Sequence, residues 1–200
     1  MKIGFYVLVA CLTLTACSSA PTHYYTLMPA TDSPTTQTVA PFQYELTTVN
    51  VPAQVDQPQI VVRQGESGVQ ILETERWASP LADEVRSALR HHLRLQMGRA
   101  DRAGVARDSG LQNVSIQVDM RRLEMVPGRY ALIEAVWSLR NTGGAGPRRS
   151  LSCTSVIRQE ATAEMGALVL AHQQLIRELS VRIVQTVIPW MASSDYACSN

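Results

Sequence analysis

Apolar residues recur along the chain with two periods, and these periods predict strands in two groups and two helices. Period-two alternation or β-branched runs predict strands at 23–27, 42–51, 60–63, 69–72, 114–120, 130–139 and 151–157. Helical spacing predicts one helix that begins at Pro80 and ends at Gly98, and a second, capped by Thr162, along the C-terminal stripe. This order predicts an α+β fold, an antiparallel or mixed sheet with two amphipathic helices on one face, in a single domain.

Local signals refine several boundaries. Ser79 is the expected N-cap of the first helix, with Pro80 at the first helical position. Pro189 is expected to end the second helix, because proline cannot donate a helical hydrogen bond. After Met120 the apolar positions change parity, which predicts a β-bulge or a switch of sheet near Arg121-Arg122. The last three strands, joined by short glycine-containing turns, are expected to form a meander.

The first sixteen residues have the pattern of a secretory signal peptide. Lys2 precedes fourteen uncharged residues, a stretch too short for a membrane span of about 20 residues. The string Leu14-Thr15-Ala16-Cys17 resembles the lipobox of bacterial lipoproteins, in which the peptide is cut before the cysteine and its thiol receives diacylglycerol. A second match ends at Cys11 but leaves a short apolar stretch, so Cys17 is favoured. The alternative is a buried N-terminal helix.

The lipobox sets the expected domain organisation. The segments are a signal peptide at 1–16, a lipidated tether at 17–22, a folded domain at 23–191 and a C-terminal tail at 192–200. Three acyl chains on Cys17 would make membrane attachment effectively irreversible. Ser18 rather than Asp follows the cysteine, which by resemblance to sorted lipoproteins favours the periplasmic face of the outer membrane.

Two further cysteines are consistent with an oxidising compartment. With Cys11 in the signal peptide and Cys17 lipidated, Cys153 and Cys198 remain as an even pair. A bridge between them would stabilise the fold by roughly 4 kcal/mol in the chain-entropy model. The alternative is a buried Cys153 and a free thiol near the C-terminus.

Composition and motifs argue against several functional classes. With 18 basic and 17 acidic residues the formal charge is +1, which excludes an electrostatic nucleic-acid binder. The sequence has no C-x-x-C, and its adjacent His91 and His92 cannot chelate one ion as an i,i+4 pair could, so no metal or cofactor is expected. His92 and His172 fall on apolar helix stripes and are expected to pack in the core.

No catalytic constellation is evident either. The string Gly65-Glu66-Ser67-Gly68 lacks the G-x-S-x-G spacing of a nucleophile elbow and predicts a turn. A periplasmic hydrolase would need the fold to assemble residues such as His23, Asp119 and Glu134. We therefore expect a protein that is not an enzyme.

Several strings together resemble one family. The lipobox, His23-Tyr24-Tyr25-Thr26-Leu27, Trp77-Ala78-Ser79-Pro80-Leu81 and Trp137 are similar to ABC-type transport auxiliary lipoproteins, nearest to the PqiC-type intermembrane transport lipoproteins. The resemblance spans roughly residues 14 to 190. It implies a lipid-anchored docking subunit of an MCE-type intermembrane lipid transport system that supports envelope integrity, with an MCE-domain protein as partner.

Two points stay open within this resemblance. The alternative is a lipoprotein that itself binds and carries lipid in a crevice between sheet and helices, and assembly into a homo-oligomer is undecided. The motif positions that either contact the partner or serve the fold are Tyr24, Tyr25, Trp77, Ser79, Pro80 and Leu81. A Trp immediately before a helix more often packs against its first turn than contacts a partner.

Overall fold

A computed structural model describes residues 20–31, 39–106, 108, 110–143, 148–193 and 196–198 of the 200-residue chain. The strands are β1 His23–Tyr25, β2 Phe42–Asn50, β3 Gln59–Gln64, β4 Gly68–Trp77, β5 Gln112–Val126, β6 Tyr130–Gly143 and β7 Ser150–Glu160. The helices are α1 Leu81–Met97 and α2 Met165–Ala192.

The strands divide between two mixed sheets. The larger has the order β2-β5-β6-β7, with β2 parallel to β5 and the other pairs antiparallel. The smaller has the order β1-β4-β3, with β1 parallel to β4 and the β3–β4 hairpin antiparallel. The predicted α+β class and the β5–β6–β7 meander are confirmed.

The change of parity within β5 is a β-bulge. The register against β6 shifts between Met120 and Arg122, so that Arg121 is the extra residue. Val118 and Met120 are buried before the bulge and Leu123 and Met125 after it, although their parities differ. One unpaired residue therefore keeps a single apolar row facing the core along a 15-residue strand.

The core lies between the larger sheet and the helices. α1 packs against α2 and β2, and α2 also packs against β6 and β7. Trp137 on β6 is buried there, and its indole N–H donates to the Ser155 hydroxyl on β7 at 3.1 Å. The indole thus combines a large apolar surface with a satisfied polar group.

The start of α1 differs from the prediction. Pro80 occupies the N-cap position and the helix begins at Leu81, without a hydrogen bond from a capping side chain. Ser79 is not the cap because its hydroxyl donates to the carboxylate of Glu84 instead, at 2.7 Å. The Ser79 hydroxyl is thus bonded to a side chain five residues later instead of to a backbone amide of the first helical turn.

Both predicted ends of α2 also differ. Glu164, not Thr162, stands at the N-cap, and the helix runs through Pro189 to Ala192. Pro189 cannot donate to the carbonyl of Gln185, and the hydroxyl of Tyr196 lies 3.4 Å from that oxygen. The buried Trp190 shows that the last turn still packs against the core.

Candidate functional site

The two motif strings that carry the family resemblance meet in the smaller sheet. β1 lies alongside the end of β4, with Tyr24 opposite Arg76 and Tyr25 opposite Trp77. The Ala78 amide donates to the Tyr25 carbonyl at 2.8 Å, which continues the pairing past the end of β4. We call the region formed by residues 23–28 and 75–84 the motif junction.

Glu84 is the central acceptor of the motif junction. Its side chain receives hydrogen bonds from the Thr26 hydroxyl at 2.7 Å, the Leu27 amide at 2.8 Å and the Ser79 hydroxyl at 2.7 Å. The residue is 5% exposed and lies in the first turn of α1, where the helix dipole favours a negative charge. The bond to Leu27 also explains why β1 ends at Tyr25, two residues earlier than predicted.

The second helix contributes one further contact. The side-chain amide of Gln173 on α2 donates to the Thr26 carbonyl at 3.0 Å and to the Met28 carbonyl at 3.2 Å. The segment after β1 is therefore bonded to both α1 and α2. Local sequence carried a weak signal for Glu84, as an acidic residue in a first turn, and none for Gln173.

The two tyrosines of the motif junction have opposite environments. Tyr24 is 66% exposed, whereas Tyr25 is half-buried against the core. Burial and the Glu75 carboxylate raise the pKa of Tyr25 to about 12. The Tyr25 hydroxyl, followed by the His23 imidazole 2.9 Å from the carboxylate, holds the pKa of Glu75 below its usual value. Tyr25 therefore serves the fold, and Tyr24 is available to solvent.

Trp77 is buried, and a shallow cavity of about 330 Å³ lies over the motif that contains it. The Trp77 amide donates to the Pro58 carbonyl at 2.9 Å. The cavity walls come from the β2–β3 connection and from the motif, namely Asp56, Gln57, Pro58 and 77–81. Mostly apolar walls suit an apolar side chain of another protein.

A disulfide joins Cys153 on β7 to Cys198 in the C-terminal tail, with their Cα atoms 5.7 Å apart. Nearby, the Arg149 guanidinium donates to the carbonyls of Trp190 and Ser193 at the end of α2, at 2.6 and 2.8 Å. These contacts hold the end of α2 and the tail against the strand β7. They lie outside the motif junction.

The residues considered for hydrolysis are not brought together. His23 pairs with Glu75, Asp119 with Arg121 at 2.9 Å, and Glu134 lies 3.8 Å from Arg122. His172 is fully buried, and burial lowers its pKa to about 4, so it is neutral near pH 7. His92 is also buried, as predicted.

The described part of the chain contains no group of three or more His, Cys, Asp or Glu residues placed to hold a metal ion. Nor does it contain a helix that combines the length and apolarity needed to cross a bilayer. The predicted signal peptide and Cys17 lie outside the described residues.

Comparison with known proteins assigns the chain to a family. The family model of the ABC-type transport auxiliary lipoprotein component matches residues 25–184. A search of curated proteins gives no significant match.

Solved structures share the fold. The crystal structure of an uncharacterized protein aligns with a TM-score of 0.64 and 16% identity, covering 84% of this chain and 99% of that one. A Xanthomonas campestris protein of the DUF330 family aligns with a TM-score of 0.59 and 17% identity, covering 83% and 95%.

Proposed function

Because this chain belongs to the ABC-type transport auxiliary lipoprotein family, we propose that it is a lipid-anchored docking subunit of an MCE-type intermembrane lipid transport system. Its partner would be an MCE-domain protein that spans the periplasm. Its contribution would be to hold that partner beneath the outer membrane, and thereby to support envelope integrity, without a chemical step.

The observation that carries this proposal is the way the N-terminal segment is fastened. Residues 26–28 donate hydrogen bonds to Glu84 on α1 and accept them from Gln173 on α2, and β1 pairs with β4. A load applied through the tether would therefore pass directly into the folded core. This is what a docking subunit requires, since a loosely attached domain would not fix the position of its partner.

The proposed anchor is Cys17 at the periplasmic face of the outer membrane. Only five residues lie between it and His23, and the six residue steps of an extended chain reach about 20 Å. The domain would be confined to a thin layer under the bilayer, which raises its effective concentration at the end of a partner. Each buried methylene of the acyl chains contributes about 0.8 kcal/mol to this attachment.

The packing of the core favours docking over lipid carriage. A carried lipid would have to lie between sheet and helices, where the side chains of Leu93, Ile116 and Leu179 are fully buried together with many others. The groove of about 390 Å³ between α1 and α2 mixes apolar side chains such as Leu95 and Val181 with polar ones such as Gln96 and Arg177. Its volume is near the lower end of the range for ligand cavities, which is small for a molecule with two acyl chains.

We further propose that the partner contacts the cavity over Trp77. The test is a photo-crosslinking amino acid placed at the exposed Ala78, with the exposed Val156 on β7 as the matched control. In intact envelopes, the Ala78 probe should give an adduct with an MCE-domain protein and the Val156 probe should not. An adduct from Val156 alone would move the docking surface to β7. No MCE adduct from either probe, combined with failure to co-purify after chemical crosslinking, would contradict the docking role.

The anchor is tested separately by Cys17→Ser. We expect this variant to leave the membrane fraction and to lose its function in the envelope. A serine variant that stays wholly membrane-bound would contradict lipid anchoring, whatever the crosslinking result.

A further inference from the structure

The outer face of the smaller sheet carries apolar side chains where an exposed sheet face is usually polar. Ile60 and Val62 on β3 point to the core, so Gln59, Val61 and Arg63 point outward, because side chains alternate between the faces of a sheet. On β4, Arg76, Ile71 and Val69 lie opposite these three residues, with a register shift between Leu72 and Arg76, and Tyr24 on β1 lies opposite Arg76. The outward set therefore includes Tyr24, Val69 and Ile71, which are 66%, 59% and 46% exposed. These three form what we call the outer strip.

The outer strip continues across the β3–β4 hairpin. Val61 lies opposite Ile71 and Arg63 lies opposite Val69. The hairpin thus has apolar side chains on both faces, since Ile60 and Val62 fill the core on the other side. The face with Ile60 and Val62 packs against the core. No described residue packs over the opposite face, which carries Val69 and Ile71.

The direction of β1 shows what lies next to the outer strip. Because β1 is parallel to β4, the chain upstream of His23 leaves the sheet toward the start of β4, where the hairpin turn lies. His23 is level with Glu75. Along β3, Gln59 opposite Arg76 and Arg63 opposite Val69 are four residues apart, so the level of Val69 is about 13 Å from that of Arg76.

The tether is long enough to cover this distance. Cys17 precedes His23 by six residues and reaches about 20 Å when extended. Along its exit direction, the anchor can therefore reach the level of Val69. The hairpin can then contact the bilayer that holds the acyl chains of Cys17.

We propose that the outer strip is a lipid-contact surface, with Val69 and Ile71 entering the boundary between headgroups and acyl chains and Tyr24 at headgroup level. This inference rests on the proposed anchoring of Cys17. Tyrosine at a membrane interface has its ring in an apolar layer and its hydroxyl in a wet one. Arg63 and Glu66 at the hairpin end cancel in charge, so apolar burial rather than attraction to anionic lipid drives the contact.

The test compares hydrogen–deuterium exchange of the lipidated mature protein in phosphatidylethanolamine/phosphatidylglycerol liposomes with that of the mature chain carrying Cys17→Ser in solution. We expect exchange in the 61–71 hairpin to slow about tenfold on liposomes, since burying one such side chain changes an equilibrium by about that factor. The protection should persist at high salt, because screening weakens only charge attraction.

The double variant V69Q/I71Q should abolish the protection. Its matched control, V156Q/L170Q, removes two equally exposed apolar side chains from β7 and α2 and should retain it. Both pairs are at exposed positions, so both variants should fold.

Two results would overturn the proposal. One is hairpin exchange that is the same on liposomes as in solution. The other is protection that develops in the unlipidated chain as its concentration rises without lipid, because a second copy would then cover the outer strip. Either result leaves the Cys17 fractionation and Ala78 crosslinking tests intact, so failure of lipid contact is distinguishable from failure of the docking role.

Discussion

The two sheets of this protein are stabilised in different ways. In the larger sheet, long strands present continuous apolar rows to two helices, so many side chains share the stabilisation. In the smaller sheet, the three-residue β1 is held by its pairing with β4 and by hydrogen bonds that converge on Glu84 and Gln173. Burial of apolar area gives a robust scaffold, whereas a few directional bonds fix the place where the tether joins it.

The largest expected effect comes from the core of the larger sheet. Trp137→Ala should lower the free energy of unfolding by about 5 kcal/mol, because it opens a large cavity and leaves the Ser155 hydroxyl without its partner. Urea denaturation measures this loss, and Val156→Ala at an exposed position should change it by less than about 0.5 kcal/mol. A small effect of Trp137→Ala would contradict the view that the larger sheet is the scaffold.

The disulfide should have the next largest effect. Replacing Cys153 and Cys198 together by serine should cost about 4 kcal/mol, the chain-entropy value for a separation of 45 residues. The same urea experiment applies, with the reduced wild-type protein as a comparison. In the denatured but unreduced mature protein no thiol should react with a labelling reagent, and two reactive thiols would rule out the bridge.

The motif junction should show the smallest and most local effect. Glu84→Ala removes the common acceptor of three donors and should cost about 2 kcal/mol. Amide exchange at Leu27 and Ala78 should accelerate while exchange in β5 and β6 stays slow. Asp83→Asn is the matched control, an exposed carboxylate in the same turn, and should leave these amides unchanged. Equal acceleration throughout the chain would show that the two sheets unfold as one unit.

The same contrast explains what the sequence could and could not predict. The meander and the bulge near Arg121 were predictable, because alternation along β5 records which face each side chain occupies. The parallel pairing of β2 with β5 was not, since no local turn links strands so far apart in the chain. The burial of His92 and His172 was also predictable, because both fall at the helical spacing of the apolar residues around them.

Two wrong predictions concern residues at helix ends. Ser79 looked like a helix cap, but its hydroxyl donates a hydrogen bond to Glu84. Pro189 looked like a helix end, but packing of Trp190 and the Tyr196 hydroxyl beside the Gln185 carbonyl offset the lost helical bond. Glu84 is only five residues from Ser79, but Thr26 and Leu27 hold its carboxylate from a distant part of the chain, which local propensity does not include.

The fastening of β1 also sets the order of events when the protein is made. Thr26, which follows β1, is made before its partners, which come 58 residues later at Glu84 and 147 residues later at Gln173. Until Gln173 is made, the N-terminal segment lacks part of its fastening. Under the proposed lipidation of Cys17, this delay leaves an interval for attaching the acyl chains before folding is complete.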